Sequence, residues 1–389
     1  MTTDKGVWGL QQVRDKQLQS LWNYSAFGDA GTLWSMGYNN GGDLGQNNRT
    51  KYSSPVQIPG SWKGIGGVKS DGTLWSWGYN GVGALGLNDT IHRSSPTQVG
   101  SDTTWAEVYG LINNQNTEKE AYGIKTDGTL WAWGFNAWGQ LGLNDAGSPG
   151  NQSANSRSSP VQVGSDTTWP TTGYNKFGWS SSYIGGAAIK TDGTLWVWGR
   201  KDYGILAQNN QIYYSSPVQI PGTTWKSLSR GLSGFNATKT DGTLWVWGRN
   251  ADGELGLNSR IYYSSPVQVG SDTTWDMAGG GNSTACVTKT DGTMWAWGIN
   301  TQNQLGQGDG TGNPIIPTPT KISSPVQIGT ATDWSRPVQL GQNAMGAIKT
   351  DNTMWVWGEG AGGILGQNSL ADRAEPTQIP GAGVNIRGS

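Results

Sequence analysis

Apolar residues along this chain come in short bursts of period two, each cut off by glycine, asparagine or aspartate. The plainest burst is T-L-W-V-W-G. Trp245 and Trp247 fall on one face of an extended segment and Leu244 and Val246 on the other, so both faces are apolar and need cover. Asp241-Gly242 stands between this burst and a second run of β-formers, which predicts a hairpin with a type I′ turn. Proline opens the recurring P-V-Q-V segment and marks it as a strand start or edge.

The bursts repeat. GTLWSMG (31–37) returns as GTLWSWG (72–78), GTLWAWG (128–134), GTLWVWG (193–199 and 242–248), GTMWAWG (292–298) and NTMWVWG (352–358). These seven copies are spaced about 53 residues apart on average, the range of propeller blades. Pro-[Val/Thr]-Gln-[Ile/Val] also occurs seven times in phase, and a lone Trp follows it six times, at 62, 105, 169, 225, 275 and 334. Four short strands per unit follow: P-V-Q-V, the lone-Trp segment, A-I-K-T and T-L-W-V-W. Radial sheets cover each other's faces. The expected fold is therefore all-β, a seven-bladed β-propeller of four-stranded antiparallel blades. Its phase predicts closure by N- and C-terminal strands, residues 376–387 pairing with 21–37, which removes exposed edges.

Composition narrows the functions. With 26 Lys+Arg against 27 Asp+Glu, the net charge of −1 offers no field for phosphate backbones, so nucleic acid is not an expected partner. One Cys and one His exclude an intramolecular disulfide and a Cys/His zinc site. No apolar run is long enough for membrane insertion, and the first residues lack a secretory profile. Synthesis in the cytoplasm is expected.

W-G-x-N-x-x-G-x-L-G, seen as WGYNGVGALG (77–86), WGFNAWGQLG (133–142) and WGRNADGELG (247–256), resembles the repeat of the regulator of chromosome condensation family over about residues 21–387. The resemblance implies a seven-bladed propeller and, in the family's founding member, guanine-nucleotide exchange on a small GTPase. The family's Gly-x-x-His motif and basic tails are absent here, which argues against exchange. The Trp-rich T-D-G-T-L-W-x-W-G variety looks like repeats of bacterial and bacteriophage proteins.

Residues capable of chemistry read as architecture. His92 fills a slot held by Tyr213 and Tyr262 in other units, and Cys286 sits within a predicted strand. GVGALG (81–86) matches a dinucleotide fingerprint but opens no helix. Asp71, Asp127, Asp192, Asp241, Asp291 and Asp351 are turn residues. No catalytic, cofactor-binding or metal-binding residue is expected, and no cofactor. Nineteen of the 23 Trp belong to the repeat.

Of the remaining four, Trp8 and Trp22 flank residues 1–20, where Leu10, Val13, Leu18 and Leu21 approximate helical spacing. This segment is expected to be a short amphipathic helix outside the ring (21–389), docking on the ring or on a partner. Trp138 and Trp179 lie in or near lengthened loops, where function concentrates. Trp138, Asn151, Tyr174, Phe177, Trp179 and Tyr183 are thus the candidate binding residues. The sequence reads as a non-enzymatic interaction module, specifically a bacteriophage virion component (fibre, tail or head appendage). Residues Trp8, Leu10, Val13, Leu18 and Trp22 would attach it, and its loops would meet other virion proteins or a host-surface glycan or protein. The alternatives are a cytoplasmic cellular propeller resembling exchange factors, and a glycan-binding, lectin-like propeller.

Overall fold

Seven antiparallel sheets follow one another along the chain in the computed structural model, which describes residues 31–63, 67–110, 120–146, 155–173, 175–179, 186–210, 212–230, 234–281, 283–308, 320–340 and 343–383. Five are complete four-stranded blades. Blade 5 shows the plan: Trp225–Arg230, Gly234–Lys239, Leu244–Gly248 and Tyr263–Gln268 pair in chain order. Blade 2 pairs Trp75–Gly78 with Arg93–Gln98, and the bridges Trp62↔Lys69 and Val68↔Leu74 mark its first two strands. Blade 1 contributes Gly31–Gly37 and the first part of Tyr52–Trp62. First strands of neighbouring blades touch from blade 4 to blade 7 and line the axis there. Only two single-turn 3-10 segments interrupt the β-structure of the described residues. The expected N-terminal helix lies outside them, with Trp8, Leu10, Val13, Leu18 and Trp22.

The P-V-Q-V strand belongs to the hairpin before it, not to the blade after it. Trp245 faces Gln268 and Val246 faces Val267, because the intervening loop folds back on itself and returns the chain antiparallel. The last such strand, in Arg373–Gly383, accordingly completes blade 7 by pairing with Thr353–Gly358, while Gly31–Gly37 pairs with Tyr52–Trp62. The described parts of 376–387 and 21–37 therefore do not pair with each other; residues 21–30 and 384–389 lie outside the described set.

Closure is nevertheless visible. Five loops end in L-G-x-N, blade 4 in L-A-Q-N and blade 6 in L-G-Q-G, and the last residue donates its N–H to the first carbonyl of the next blade's S-S-P or A-E-P strand. The links run Asn47 to Ser94, Asn88 to Ser158, Asn144 to Ser215, Asn209 to Ser264 and Asn258 to Ser323, with Gly308 to Ala374 in blade 6. Asn368 of blade 7 then reaches Ser53 of blade 1 at 2.8 Å, and the circle is complete. The six asparagines are left-handed (φ 51–60°), a conformation asparagine tolerates better than most residues.

Tryptophan locks the blades. The second Trp of each W-x-W is buried and donates Nε1 to a carbonyl of the preceding blade's loop: Trp77 to Asp43, Trp133 to Ala84, Trp198 to Gln140, Trp247 to Ile205, Trp297 to Glu254 and Trp357 to Gln304, all at 2.8–3.0 Å. At the seam between blades 7 and 1, Met36 occupies this position and supplies no donor. The lone Trp side chains are buried against the W-x-W pair, edge to face, as Trp275 is at 6.2 Å from Trp295 and 6.1 Å from Trp297.

The hairpin turn is a three-residue loop rather than type I′. Gly128 donates to Lys125 O and Lys125 to Thr129 O, and only Gly128 of the loop is left-handed (φ +79°). Asp127 instead accepts from the Thr129 N–H (3.0 Å) and hydroxyl (2.7 Å), and the same clamp recurs at Asp71, Asp192, Asp241, Asp291 and Asp351. The glycine is required twice over. A Cβ on Gly242 would lie 1.8 Å from Thr273 O of the next blade. Blade 7 alone has Asn352 here (φ 66°), at the seam, where no T-T-W strand follows.

Candidate interaction face

From blade 2 to blade 7 each third strand follows a turn of the T-D-G-T type and ends at a W-G loop, W-G-x-N in blades 2, 3, 5 and 6, so the ring has a turn face and a loop face. The loops are built alike. In blade 2 the buried Asn80 accepts from the Leu85 N–H (2.8 Å) and donates to Asp89, folding the loop tightly. Gly83 packs against Ser158 of the next blade, and Gly86 against the Trp133 indole. Gly83 and Gly86 of GVGALG thus serve blade contacts.

This folding pushes the following residues into solvent. Ile91 (63% exposed), Ile212 (56%) and Ile261 (63%) occupy equivalent loop positions, with Leu370 (66%) one residue earlier in blade 7, and are followed in blades 4 and 5 by the exposed Tyr213 and Tyr262. From blade 3 to blade 5 they join an aromatic row. Trp138 stacks on Tyr213 (5.8 Å, 20°) and carries the Arg200 guanidinium at 4.7 Å. Lys201 lies 4.8 Å from the Tyr213 ring, and Tyr203 meets Tyr262 edge to face at 5.7 Å. The sequence held the clue in NDTIHRSSP, NNQIYYSSP and NSRIYYSSP: an aliphatic residue repeated in a polar loop.

The other expected binding residues fare differently. Phe177 is not a loop residue. It lies in the strand Phe177–Trp179, 3% exposed and stacked on Tyr109 at 4.7 Å, because the inserted residues before it lead into the axial strand of blade 4. Trp179 is in the same strand, and nothing further is described of its side chain. Tyr174, Tyr183 and Asn151 lie outside the described residues.

His92 Nδ1 accepts from the Asn80 N–H at 3.0 Å and its ring packs on Tyr79 at 4.4 Å, a structural role matching its repeat slot. Burial pushes the Cys286 thiol up, far from a thiolate. The Thr73 hydroxyl and N–H hold Asp71 below the usual carboxylate range, and the other turn aspartates are held likewise by their Thr partners. Among the described residues no three His, Cys, Asp or Glu side chains gather as a metal site, and no helix is long and apolar enough to cross a membrane.

Burial disfavours the ionised form of Asp102, but hydrogen bonds from Lys125 and Thr104 outweigh it and hold the carboxyl at about 2. Lys125, so anchored, lies 3.8 Å from the Trp131 ring centroid and 5.2 Å from that of Trp105. Asp166–Lys190 and Asp272–Lys289 repeat the arrangement. Conversely, burial pushes the Glu107 carboxyl up to about 7 beside the axis, against the attraction of Lys63.

Comparison with known proteins bears on these features. The profile of the regulator of chromosome condensation (RCC1) repeat matches residues 71–108, 127–170, 241–287 and 291–343. No curated protein sequence matches the chain. Among solved structures, Prp20p from Saccharomyces cerevisiae superposes with a TM-score of 0.70 at 16% identity, covering 90% of this chain and 85% of that one. That protein was characterised for its binding to Gsp1p and histones. Human WBSCR16 gives 0.70 at 16% identity, with 90% and 93% coverage. Yeast RCC1 (Prp20) bound to Kap60 gives 0.64 at 15%, with 92% and 87% coverage. Repeat profile, sheet order and closed ring agree: the chain carries regulator of chromosome condensation repeats and has the seven-bladed propeller fold of the structures that share them.

Proposed function

We propose that this propeller is a non-enzymatic protein-interaction module that takes its partner on the loop face across blades 3 to 5. The observation that carries this reading is the row Trp138, Tyr213, Ile212, Tyr203, Tyr262 and Ile261. Large apolar side chains at 40–63% exposure flank the stacked Trp138, and two cations lie beside them. Aromatic residues and arginine in one exposed patch have the composition of interface hot spots. Prp20p, characterised for its binding to Gsp1p and histones and seen in complex with Kap60, supports a protein as the partner class. A cellular setting agrees with these relatives. The virion assignment draws support only from the Trp-rich style of the repeat, and attachment through residues 1–20 rests on sequence spacing.

The test is proximity crosslinking in the native host, with the triple variant Ile212→Asp/Tyr213→Ser/Ile261→Asp beside the parent. Partners crosslinked to the parent should disappear with the variant while its melting temperature stays within a few degrees. Retention of the same partners overturns the assignment of this face. Acceleration of nucleotide release from a host small GTPase would instead favour the exchange-factor reading, and glycan-array binding by the isolated ring the lectin-like one.

A further inference from the structure

On the turn face, a cavity of about 910 Å³ opens between the axial strands of blades 4 to 7. Its size is that of small-molecule sites. Its walls include the apolar Leu228, Met277 and Pro337, four cations, Lys176, Lys190, Lys226 and Arg336, and the Asp192 carboxylate, which the Thr194 hydroxyl and N–H hold at its turn. Lys190 is matched by Asp166. Lys226 is matched by Asp276. Lys176 is not matched: its half-buried ammonium donates to the Lys226 carbonyl at 2.5 Å, and no carboxylate among the described residues pairs with it. It comes from the insertion before Phe177 and has no counterpart in the repeat.

We infer that this cavity is a binding site for a small organic oxyanion, a polycarboxylate or phosphate-bearing molecule whose charged end meets Lys176 and Arg336 and whose body rests on Leu228, Met277 and Pro337. A half-buried cation facing a neutral carbonyl keeps most of its desolvation cost uncompensated, and a bound anion offsets it. Burial first, and the neighbouring Lys226 charge second, hold Lys176 below the usual lysine range. An anion in the cavity counters both by its attraction for the ammonium. The inference does not depend on the loop-face reading, since the cavity lies at the opposite end of the blades.

The test is isothermal titration of the full chain with citrate and, separately, with inorganic phosphate, at constant ionic strength set with chloride. Binding of at least one with unit stoichiometry is expected. Lys176→Met and Arg336→Gln should each weaken it about tenfold or more, while Lys176→Arg retains it and Lys201→Met, on the loop face, leaves it unchanged. Citrate binding alone assigns carboxylate chemistry, and phosphate binding alone phosphate chemistry. Absence of binding to both anions, or equal binding by the parent, Lys176→Met and Arg336→Gln, overturns the inference. If Lys176→Met does not fold, Arg336→Gln and Lys176→Arg decide it.

Discussion

The indole lock between blades can be tested at Trp297. The side chain is 0% exposed and donates Nε1 to the Glu254 carbonyl of the preceding blade at 2.9 Å. Trp297→Phe keeps an aromatic ring but removes the donor. A buried carbonyl left without its partner costs about 1–3 kcal/mol. The lost volume of about 40 Å³ adds about 1 kcal/mol at 24 cal/mol per Å³. The sum is about 2–4 kcal/mol. For 389 residues, an unfolding entropy of about 2.1 cal/mol/K per residue gives about 0.8 kcal/mol/K, hence a drop of about 2–5 °C in melting temperature. Trp295→Phe is the control, because that half-buried indole donates only to the neighbouring Thr293 hydroxyl at 3.0 Å and couples no blades. Its loss should stay below about 1.5 kcal/mol. Scanning fluorimetry and urea unfolding measure both. Equal losses, or a drop below about 1 °C for Trp297→Phe, would refute the claim that the inter-blade bond rather than ring bulk holds the blades.

At the seam, Met36→Trp should supply the missing donor to Ile364 and raise stability by about 1 kcal/mol; a lower melting temperature would show that the seam differs from the other joints. Gly242→Ala meets both a left-handed backbone and the Thr273 carbonyl, so it should destabilise by more than about 1 kcal/mol. Asn352→Gly, at the turn facing the seam, should change stability by less than that; thermal melts of the pair would contradict this if the two shifted alike. For Glu107 the folded pKa is raised, so its stabilising effect is complete below the unfolded value of 4.5 and is lost as pH rises toward about 7. Glu107→Gln should therefore gain on the parent between pH 5 and pH 8, and parallel melting curves across that window would exclude the effect. Asp272 has the opposite sign. Its pKa is lowered to about 2, so its contribution is present above 3.8 and disappears as pH falls toward 2, and Asp272→Asn should melt closer to the parent at pH 2.5 than at pH 6.

Repetition made the architecture legible. A strand with Trp245 and Trp247 on one face and Leu244 and Val246 on the other demands cover on both sides, and seven in-phase copies on one chain can provide it only for each other. Local chemistry was equally open to reading: the turn aspartates act on residues two positions away, and the slots of His92 and Cys286 were visible by aligning units. Which blade owns the P-V-Q-V strand was not, since period-two patterning says that a segment is a strand and nothing about which edge it joins. That depends on how the W-G-x-N loop folds back, through a buried Asn contact five residues away.

The binding surface divides the same way. Phe177 looked like a loop residue because it follows an insertion, yet the path of that insertion carries it into the core, while the Ile-Tyr tips read as unremarkable variants until the loops lifted them into solvent. The cavity cations Lys176, Lys226 and Arg336 lie far apart along the chain, and only the circular packing of blades 4 to 7 puts them in one wall. Sequence determines what each blade is, because a hairpin's bonds are local. The circle decides what the blades share, because every joint, the closing contact of Asn368 with Ser53 included, is made between segments that the linear order keeps apart.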